Sequence, residues 1–438
     1  MLIMKFGGTS LGSAARIKGV ADLISGRGDR IVVLSAMSGT TNKLVEIAGD
    51  LYVKKHDEAN TRIDELHASY QKVSSELYGK PEFRKMADEM LDLHFSRLRA
   101  YTQDLFTIYE ERAVLALGEL ISTALVHYYL LEQGRANVLL PALNFMRIDK
   151  EGEPDEFYIR QNLTREMEQH KDEDLFITQG FICRNAYGEI DNLKRGGSDY
   201  TASIIGSVIG AEEIQIWTDI DGFHNNDPRF VSTTKAIARL SFEEAAELAY
   251  FGAKILHPSS VLPAREKNIP VRLKNTLDPA AEGTLLTSEE SGQGIKAIAA
   301  KDGITAIKIR SGRMLLAYGF MRRVFEIFET YRTPIDLITT SEVTVSLTID
   351  DTSNLKEIVG DLEKYGSVEV EEGQTIICVV GNFISESKGY ALQIFETLRD
   401  IPIRMISYGG SRHNVSILIA SEHKSVALNA MHEKLFQP

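Results

Sequence analysis

The chain has 438 residues, 43% apolar and 25% charged, with a formal net charge of -13, which excludes a disordered chain and leaves room for two or three domains. The acidic balance excludes non-specific binding to nucleic acid or to an anionic membrane, so any anion site must be a local convergence of cations. Cys183 and Cys378 are the only cysteines, which excludes a disulfide framework and a cysteine-rich metal centre; with no signal-peptide pattern and no apolar stretch of roughly 18 residues read, a soluble cytoplasmic protein is expected.

The first element is a strand at Leu2-Ile3-Met4, followed by Lys5-Phe6-Gly7-Gly8-Thr9-Ser10. Two glycines able to take positive φ, a cation and two hydroxyls have the chemistry of a phosphate loop, although Gly-Gly after a strand is equally an ordinary turn. Short apolar runs at Ile31 to Leu34, Ala136 to Leu140, Leu175 to Thr178, Ile214 to Trp217 and Pro270 to Leu273 read as strands buried on both faces. Helical patterns between them predict an open, mostly parallel α/β sheet.

Residues 43–117 read as an amphipathic helical hairpin on that sheet, with stripes Ile63, Leu66, Tyr70, Val73, Leu77 and Phe83, Met86, Met90, Leu93. Glu119 follows in the apolar helix Leu117-Gly118-Glu119-Leu120, where a carboxylate is costly without a cationic partner: it binds a substrate amine, forms a salt bridge to Arg112 or Arg147, or is simply solvated. Arg195-Gly196-Gly197-Ser198-Asp199-Tyr200-Thr201 is a second glycine loop, opening a helix with Ser198 or Asp199 as cap, so that main-chain N–H groups would face an anion. Trp217-Thr218-Asp219 ends a strand, and the polar loop from His224 to Arg229 behind it is a nucleotide candidate or an Asx-Pro turn. Neither glycine loop fits a P-loop or a dinucleotide fingerprint.

Beyond about residue 280 the chain turns polar, as in a linker, and an internal repeat begins. Phe328-Glu329-Thr330 and Val345-Ser346-Leu347 reappear as Phe395-Glu396-Thr397 and Val415-Ser416-Ile417, in two modules of ferredoxin-like plan.

These elements, with Ser38-Gly39-Thr40-Thr41-Asn42, Asp227-Pro228-Arg229 and Phe251-Gly252-Ala253-Lys254-Ile255-Leu256-His257-Pro258, resemble in order and spacing the aspartokinases of the amino-acid kinase superfamily. The resemblance spans the whole chain. It implies a carbamate kinase-like catalytic domain at 1–280 with a helical insertion at about 43–117, a linker and edge strand at 281–302, and two ACT domains at 303–372 and 373–438. The implied reaction is phosphoryl transfer from ATP, with Mg²⁺, to the β-carboxylate of L-aspartate.

Carried over residue by residue, the resemblance makes Lys5 and Asp199 catalytic, and Thr41, Glu119, Arg195 and Ser198 substrate contacts. The nucleotide falls to Gly7, Gly8, Thr218, Asp219, His224, Arg229 and Lys254, with His224 standing where relatives place a Tyr. No protein metal ligand is named, because Mg²⁺ binds chiefly through phosphates and water.

Asp336-Leu337-Ile338-Thr339-Thr340-Ser341-Glu342-Val343 resembles the effector segment of lysine-sensitive members, which implies a lysine site at Met314, Ile335, Asp336, Ser341, Glu342 and Val343. The second module has Arg404 at the place of Asp336, so the first is the one suited to a cationic effector; Ala317 departs from the Ser of that pattern. ACT domains pair by their sheet edges, which implies a homodimer or homotetramer. The alternatives are a kinase of another small carboxylate and a non-catalytic amino-acid sensor on the same fold.

Overall fold

The computed structural model describes all residues except 27, 194–195, 253–254, 291, 313–317, 383–387 and 438. The chain forms two compact units, residues 1–222 with 256–288 and residues 223–255 with 289–438. The expected boundary near residue 280 is therefore not one cut: the segment 223–255 groups with the C-terminal modules.

In the first unit the elements begin β1 (Leu2–Phe6), α1 (Ala14–Ile24), β2 (Arg30–Leu34), α2 (Thr40–Tyr52), α3 (His56–Leu77), α4 (Pro81–Ala100) and α5 (Ile108–Glu132). Next come β3 (Val138–Leu140), α6 (Ala142–Phe145), α7 (Glu156–Glu168), β4 (Leu175–Gln179), β5 (Ile182–Arg184), β6 (Ile190–Asn192), α8 (Gly197–Ile209) and β7 (Glu213–Thr218). The chain then passes through β8 (Arg239–Ser241) and α9 (Phe242–Tyr250) of the second unit and returns with α10 (Leu262–Glu266), β9 (Val271–Asn275) and β10 (Thr284–Thr287).

Seven strands of the first unit lie in the order β3-β4-β2-β1-β7-β9-β10. All neighbours are parallel except β10, which runs antiparallel to β9. The polar stretch read as a linker thus contributes an edge strand. Lys5 pairs in register with Val33 and Ile216, so the segments after β1, β2 and β7 leave the sheet at one carboxyl edge, where open α/β sheets bind ligands.

The expected hairpin is α3–α4, flanked by α2 and the first half of α5. The first stripe faces the core through Ile63, Leu66, Tyr70 and Leu77. The second is displaced: α4 buries Ala87, Leu91, Phe95 and Leu98, whereas Met86 and Leu93 are 42% and 52% exposed. Helix α5 has a window of mean hydropathy 1.6, long and apolar enough to cross a membrane by composition, which corrects the reading that no such stretch exists; 72% of that window is buried and it serves as a core helix.

The second unit continues with β11 (Gly294–Arg310), α11 (Phe320–Thr330), β12 (Ile338–Thr340), β13 (Thr344–Ile349), α12 (Leu355–Leu362), β14 (Ser367–Asn382), α13 (Tyr390–Thr397), β15 (Ile403–Tyr408), β16 (Asn414–Ala420) and α14 (Lys424–Phe436). Its six-stranded sheet has the order β12-β13-β11-β14-β16-β15. The two central strands are long and shared. Residues 304–310 of β11 pair with the first half of β14, and residues 294–301 with its second half. The strand at Gly294 therefore completes the second module, whose core includes Ile298, while Ile307 and Ile309 belong to the core of the first.

Candidate active site

Just past the carboxyl edge of β1 and β2 lies a cavity of about 390 Å³, lined among others by Gly8, Thr9, Ser38, Thr41, Glu119 and Ser198. The N-terminal turns of α2 and α8 both open onto it through Thr41, Asn42, Gly197 and Ser198. Two positive helix ends favour negatively charged ligand groups there. Lys5, at the end of β1, is nearly buried, and its Nζ lies 2.7 Å from Asp199 Oδ1 in the first turn of α8.

The glycines act differently from the expectation. Gly7 is an extended residue at φ -74°, Gly8 is not at positive φ either, and the Gly7 N–H is donated to Trp217 O at 3.2 Å. Gly8 is required for approach: a Cβ there would lie 2.9 Å from Ala36 O, against the main chain that follows β2. At the second loop Gly196 (φ 62°) is itself the N-cap, with no side-chain cap, so Ser198 and Asp199 sit inside the helix rather than capping it.

Glu119 is the electrostatic centre of the cavity. It is 3% exposed; Oε1 accepts the Ala36 N–H at 3.0 Å and Oε2 is buried without a partner. Burial pushes its carboxyl up to about 7, opposed by the Ala36 N–H and by the charge of Lys5. The salt-bridge alternatives are answered, since Arg112 pairs with Asp191 at 2.8 Å and Arg147 with Asp155 at 2.6 Å. The second oxygen of Glu119 is left unpaired on a residue that lines a polar cavity, an environment that favours a hydrogen-bond donor there.

Of the substrate contacts expected, Thr41, Glu119 and Ser198 line the cavity; Arg195 lies outside the described residues, as does Lys254. Thr218 and Asp219 stand at the carboxyl end of β7, with the Thr218 hydroxyl donating to Asp219 Oδ1 at 3.1 Å. His224 and Arg229 belong to the second unit. There His224 Nδ1 meets Thr234 Oγ1 at 3.1 Å, and the exposed Arg229 guanidinium folds back on Asp227 at 2.6 Å. Among the described residues no cluster of three acidic, His or Cys side chains could chelate a metal.

The structure adds Phe181 to the cavity wall. It is one of the few non-glycine residues at positive φ, 65°, with its N–H on Thr201 Oγ1 at 2.9 Å. The Gly180-Phe181 step after β4 was its only trace in the sequence, and a turn there is unremarkable. The Ala36 N–H that fixes Glu119 left no trace at all, because a main-chain donor has no side-chain signature.

In the second unit, Asp336 is not a bare carboxylate. Its Oδ1 accepts from Lys301 Nζ at 2.7 Å and from the Tyr250 hydroxyl at 2.8 Å, and Lys301 also meets Asp350 at 2.8 Å. Ser341, Glu342 and Val343 form the exposed turn between β12 and β13, and Ile335 packs against the first module's core. Met314 and Ala317 lie outside the described residues. Arg404, the counterpart of Asp336, is half exposed near Glu371.

The sequence matches the amino acid kinase family over residues 1–275 and an ACT domain over residues 377–435. It is 34% identical to lysine-sensitive aspartokinase 3 of Escherichia coli, over 100% of this chain and 99% of that one. Aspartokinase 2 of Arabidopsis thaliana is 33% identical over 99% of this chain and 84% of its own. Two crystal structures of E. coli aspartokinase III, one with lysine and aspartate and one with aspartate and ADP, each cover 100% of both chains at a TM-score of 0.83 and 32% identity.

Proposed function

The chain belongs to the aspartokinases of the amino acid kinase family, and from that premise we propose that it transfers the γ-phosphoryl group of ATP to the β-carboxylate of L-aspartate, giving 4-phospho-L-aspartate, under feedback control by lysine. The observation that carries the reading is the pairing of an ammonium receptor, Glu119 Oε2, with the Lys5–Asp199 ion pair at the same carboxyl edge of the sheet.

Phosphoryl transfer needs alignment and charge neutralisation more than covalent help. Glu119, ionised, takes the α-ammonium of aspartate, and the hydroxyls of Thr41 and Ser198 bond its carboxylates. Arg195 supplies a guanidinium fork suited to the α-carboxylate. Lys5 neutralises the charge shared by the attacking oxygen and the transferring group, and Asp199 fixes the position of its ammonium. The Gly8 segment approaches the phosphates closely, while Thr218, Asp219, His224, Arg229 and Lys254 hold the nucleotide. Arg229 would have to share Asp227 with a phosphate to do so.

A Mg²⁺ ion would arrive with the nucleotide, held chiefly by phosphate oxygens and water. Asp199 would orient its water, and the ion would supply charge neutralisation on the phosphates.

Regulation rests on the first ACT module, through Asp336 and the β12–β13 turn, and we propose that two or more chains assemble through the ACT modules. Two buried free cysteines suit a reducing cytoplasm.

The test is a hydroxylamine-trapping assay of the purified protein with ATP, Mg²⁺ and L-aspartate, with and without lysine. Aspartyl hydroxamate that declines as lysine is added is the expected result. Absence of the product would remove the kinase reading, and full activity at saturating lysine would remove the feedback reading.

A further inference from the structure

Residues 223–235, which follow β7, are built into the second ACT module. Val231 is buried in that module's core with Ile298 of β11 and with Ala427, Leu428 and Met431 of α14. The Asn225 carbonyl accepts the Ile298 N–H at 3.0 Å. The loop closes on itself where the Asn225 N–H is donated to Lys235 O at 3.0 Å and the Lys235 N–H to Asn225 Oδ1 at 2.8 Å. Helix α14 grips the far side of the loop along its length. The Lys424 ammonium lies over the Phe230 ring at 4.1 Å while paired with Asp302 at 2.6 Å, and the Asn429 side-chain amide is donated to Phe230 O at 3.2 Å. Gln437, just past the end of α14, donates to Thr233 Oγ1 at 2.8 Å.

Asn226 joins these contacts to the charged end of the loop. It is 2% exposed, and both ends of its amide are used: Nδ2 donates to Leu428 O within α14 at 3.0 Å, and Oδ1 accepts the Asp227 N–H at 2.8 Å. Asp227 in turn accepts the Arg229 N–H at 2.9 Å and the guanidinium through Nε at 2.9 Å and Nη2 at 2.6 Å. A buried amide bonded at both ends is costly to displace. The α14 main chain therefore fixes Asn226, Asn226 fixes the Asp227 main chain, and the Asp227 carboxylate fixes the Arg229 fork. That fork uses Nε and Nη2, so Nη1 is the edge that the 74% exposed side chain presents to an anion.

We infer that Asn226 is a positioning residue for the nucleotide: through it, α14 of the second ACT module presets Arg229 to meet a phosphate, so this module supports ATP binding with no effector present. The inference rests on the nucleotide role proposed for Arg229. A long side chain held in place before the ligand arrives gives up less conformational freedom on binding, and nucleotide affinity is where that saving shows. Thr41, Glu119 and Ser198, the residues proposed for aspartate, belong to the first unit and have no part in this chain of contacts. Aspartate affinity is therefore independent of Asn226.

The test is ADP binding by isothermal titration calorimetry, with ATP and aspartate KM from steady-state kinetics, on the full-length protein carrying Asn226→Ala, Arg229→Ala or both. Asn226→Ala should weaken ADP roughly tenfold and raise the ATP KM to match, with kcat and aspartate KM within about twofold of the parent. Added to Arg229→Ala it should cost nothing further, because it acts through that residue. Parental ADP affinity in Asn226→Ala, or a full loss on top of Arg229→Ala, overturns the positioning role and leaves the nucleotide role of Arg229 standing. Should Asn226→Ala fail to fold, Asn429→Ala, at an exposed position on α14, decides: ADP weakened about twofold to threefold supports the inference, and parental affinity overturns it. Parental ADP affinity in Arg229→Ala would remove the nucleotide role of Arg229 and this inference with it. Because the primary readout is heat of binding, a failed kinase assay is distinguishable from either result.

Discussion

Glu119 takes the Ala36 N–H on one carboxylate oxygen at 3.0 Å and keeps the other buried and unpaired, with a carboxyl pushed up to about 7. The folded state therefore holds a proton that the unfolded chain releases near the ordinary value of 4.5. Stability contributed by this protonation is full below about 4.5 and is lost as pH rises toward 7, an effect on the order of 3 kcal/mol. Thermal unfolding of the ligand-free protein should show Glu119→Gln flattening that slope. On the proposed role of Glu119, in which aspartate meets the ionised form, the aspartate KM should rise as pH falls below about 7, and the variant should lose this dependence along with most of its affinity. A KM profile for Glu119→Gln that still tracks pH in that window would exclude Glu119 as the ammonium receptor.

Lys5 and Asp199 are both nearly buried and 2.7 Å apart. Lys5→Ala should lower kcat by roughly 10²–10³, the usual effect of removing one preorganised charge donor from the transition state, with a smaller change in aspartate KM. Asp199→Asn, which leaves Lys5 in place but loosens its position, should cost less in kcat. Steady-state kinetics in both substrates separate the two, and equal losses would mean that Asp199 contacts the reacting groups itself.

Much of the catalytic half was legible because its signals are local. Strands buried on both faces read as short apolar runs, and Lys5, Thr41 and Ser198 sit in motifs at strand or helix ends, while Glu119 stands out as a carboxylate midway along the apolar helix α5. What the sequence concealed depends on partners distant in the chain. Gly7 looked like a phosphate donor, but its N–H serves the β1–β7 junction at Trp217. Asp336 looked like an open amine receptor, but β11 delivers Lys301 to it. The interleaving of the two ACT modules rests on which half of β14 pairs with which half of β11, a choice that both apolar patterns permit.

Gly8 sits where a Cβ would press on Ala36 O at 2.9 Å, and the N–H of the same Ala36 is donated to Glu119 Oε1 at 3.0 Å. Gly8→Ala should displace the Ala36 segment by a few tenths of an ångström. The expected result is a rise in aspartate KM of about tenfold or more, since about 1.4 kcal/mol of misalignment suffices, with little change in melting temperature. Unchanged kinetics would mean that the loop relaxes without moving Ala36. Gly7→Ala, whose Cβ finds only ordinary contacts at 3.5 Å and beyond, is the milder control.

Helix α4 separates periodicity from burial. Its sequence offers two interleaved apolar stripes, and the helix turns the one containing Leu91 into the core while Leu93 remains 52% exposed. The buried stripe meets α3 through Phe95, whose ring lies 4.4 Å from His67 and 6.0 Å from Tyr70 between centroids. Leu91→Ala should cost about 2–5 kcal/mol through lost burial and a residual cavity, whereas Leu93→Ala should fall within about 0.5 kcal/mol of the parent. Urea unfolding followed by circular dichroism, with the slope of the transition held equal between variants, measures both. Equal costs at the two positions would mean that α4 is rotated about its axis from the orientation described, and with it the face that supports α3 and the Tyr70 hydroxyl bonded to Thr40 at 2.8 Å beside the cavity that Glu119 lines.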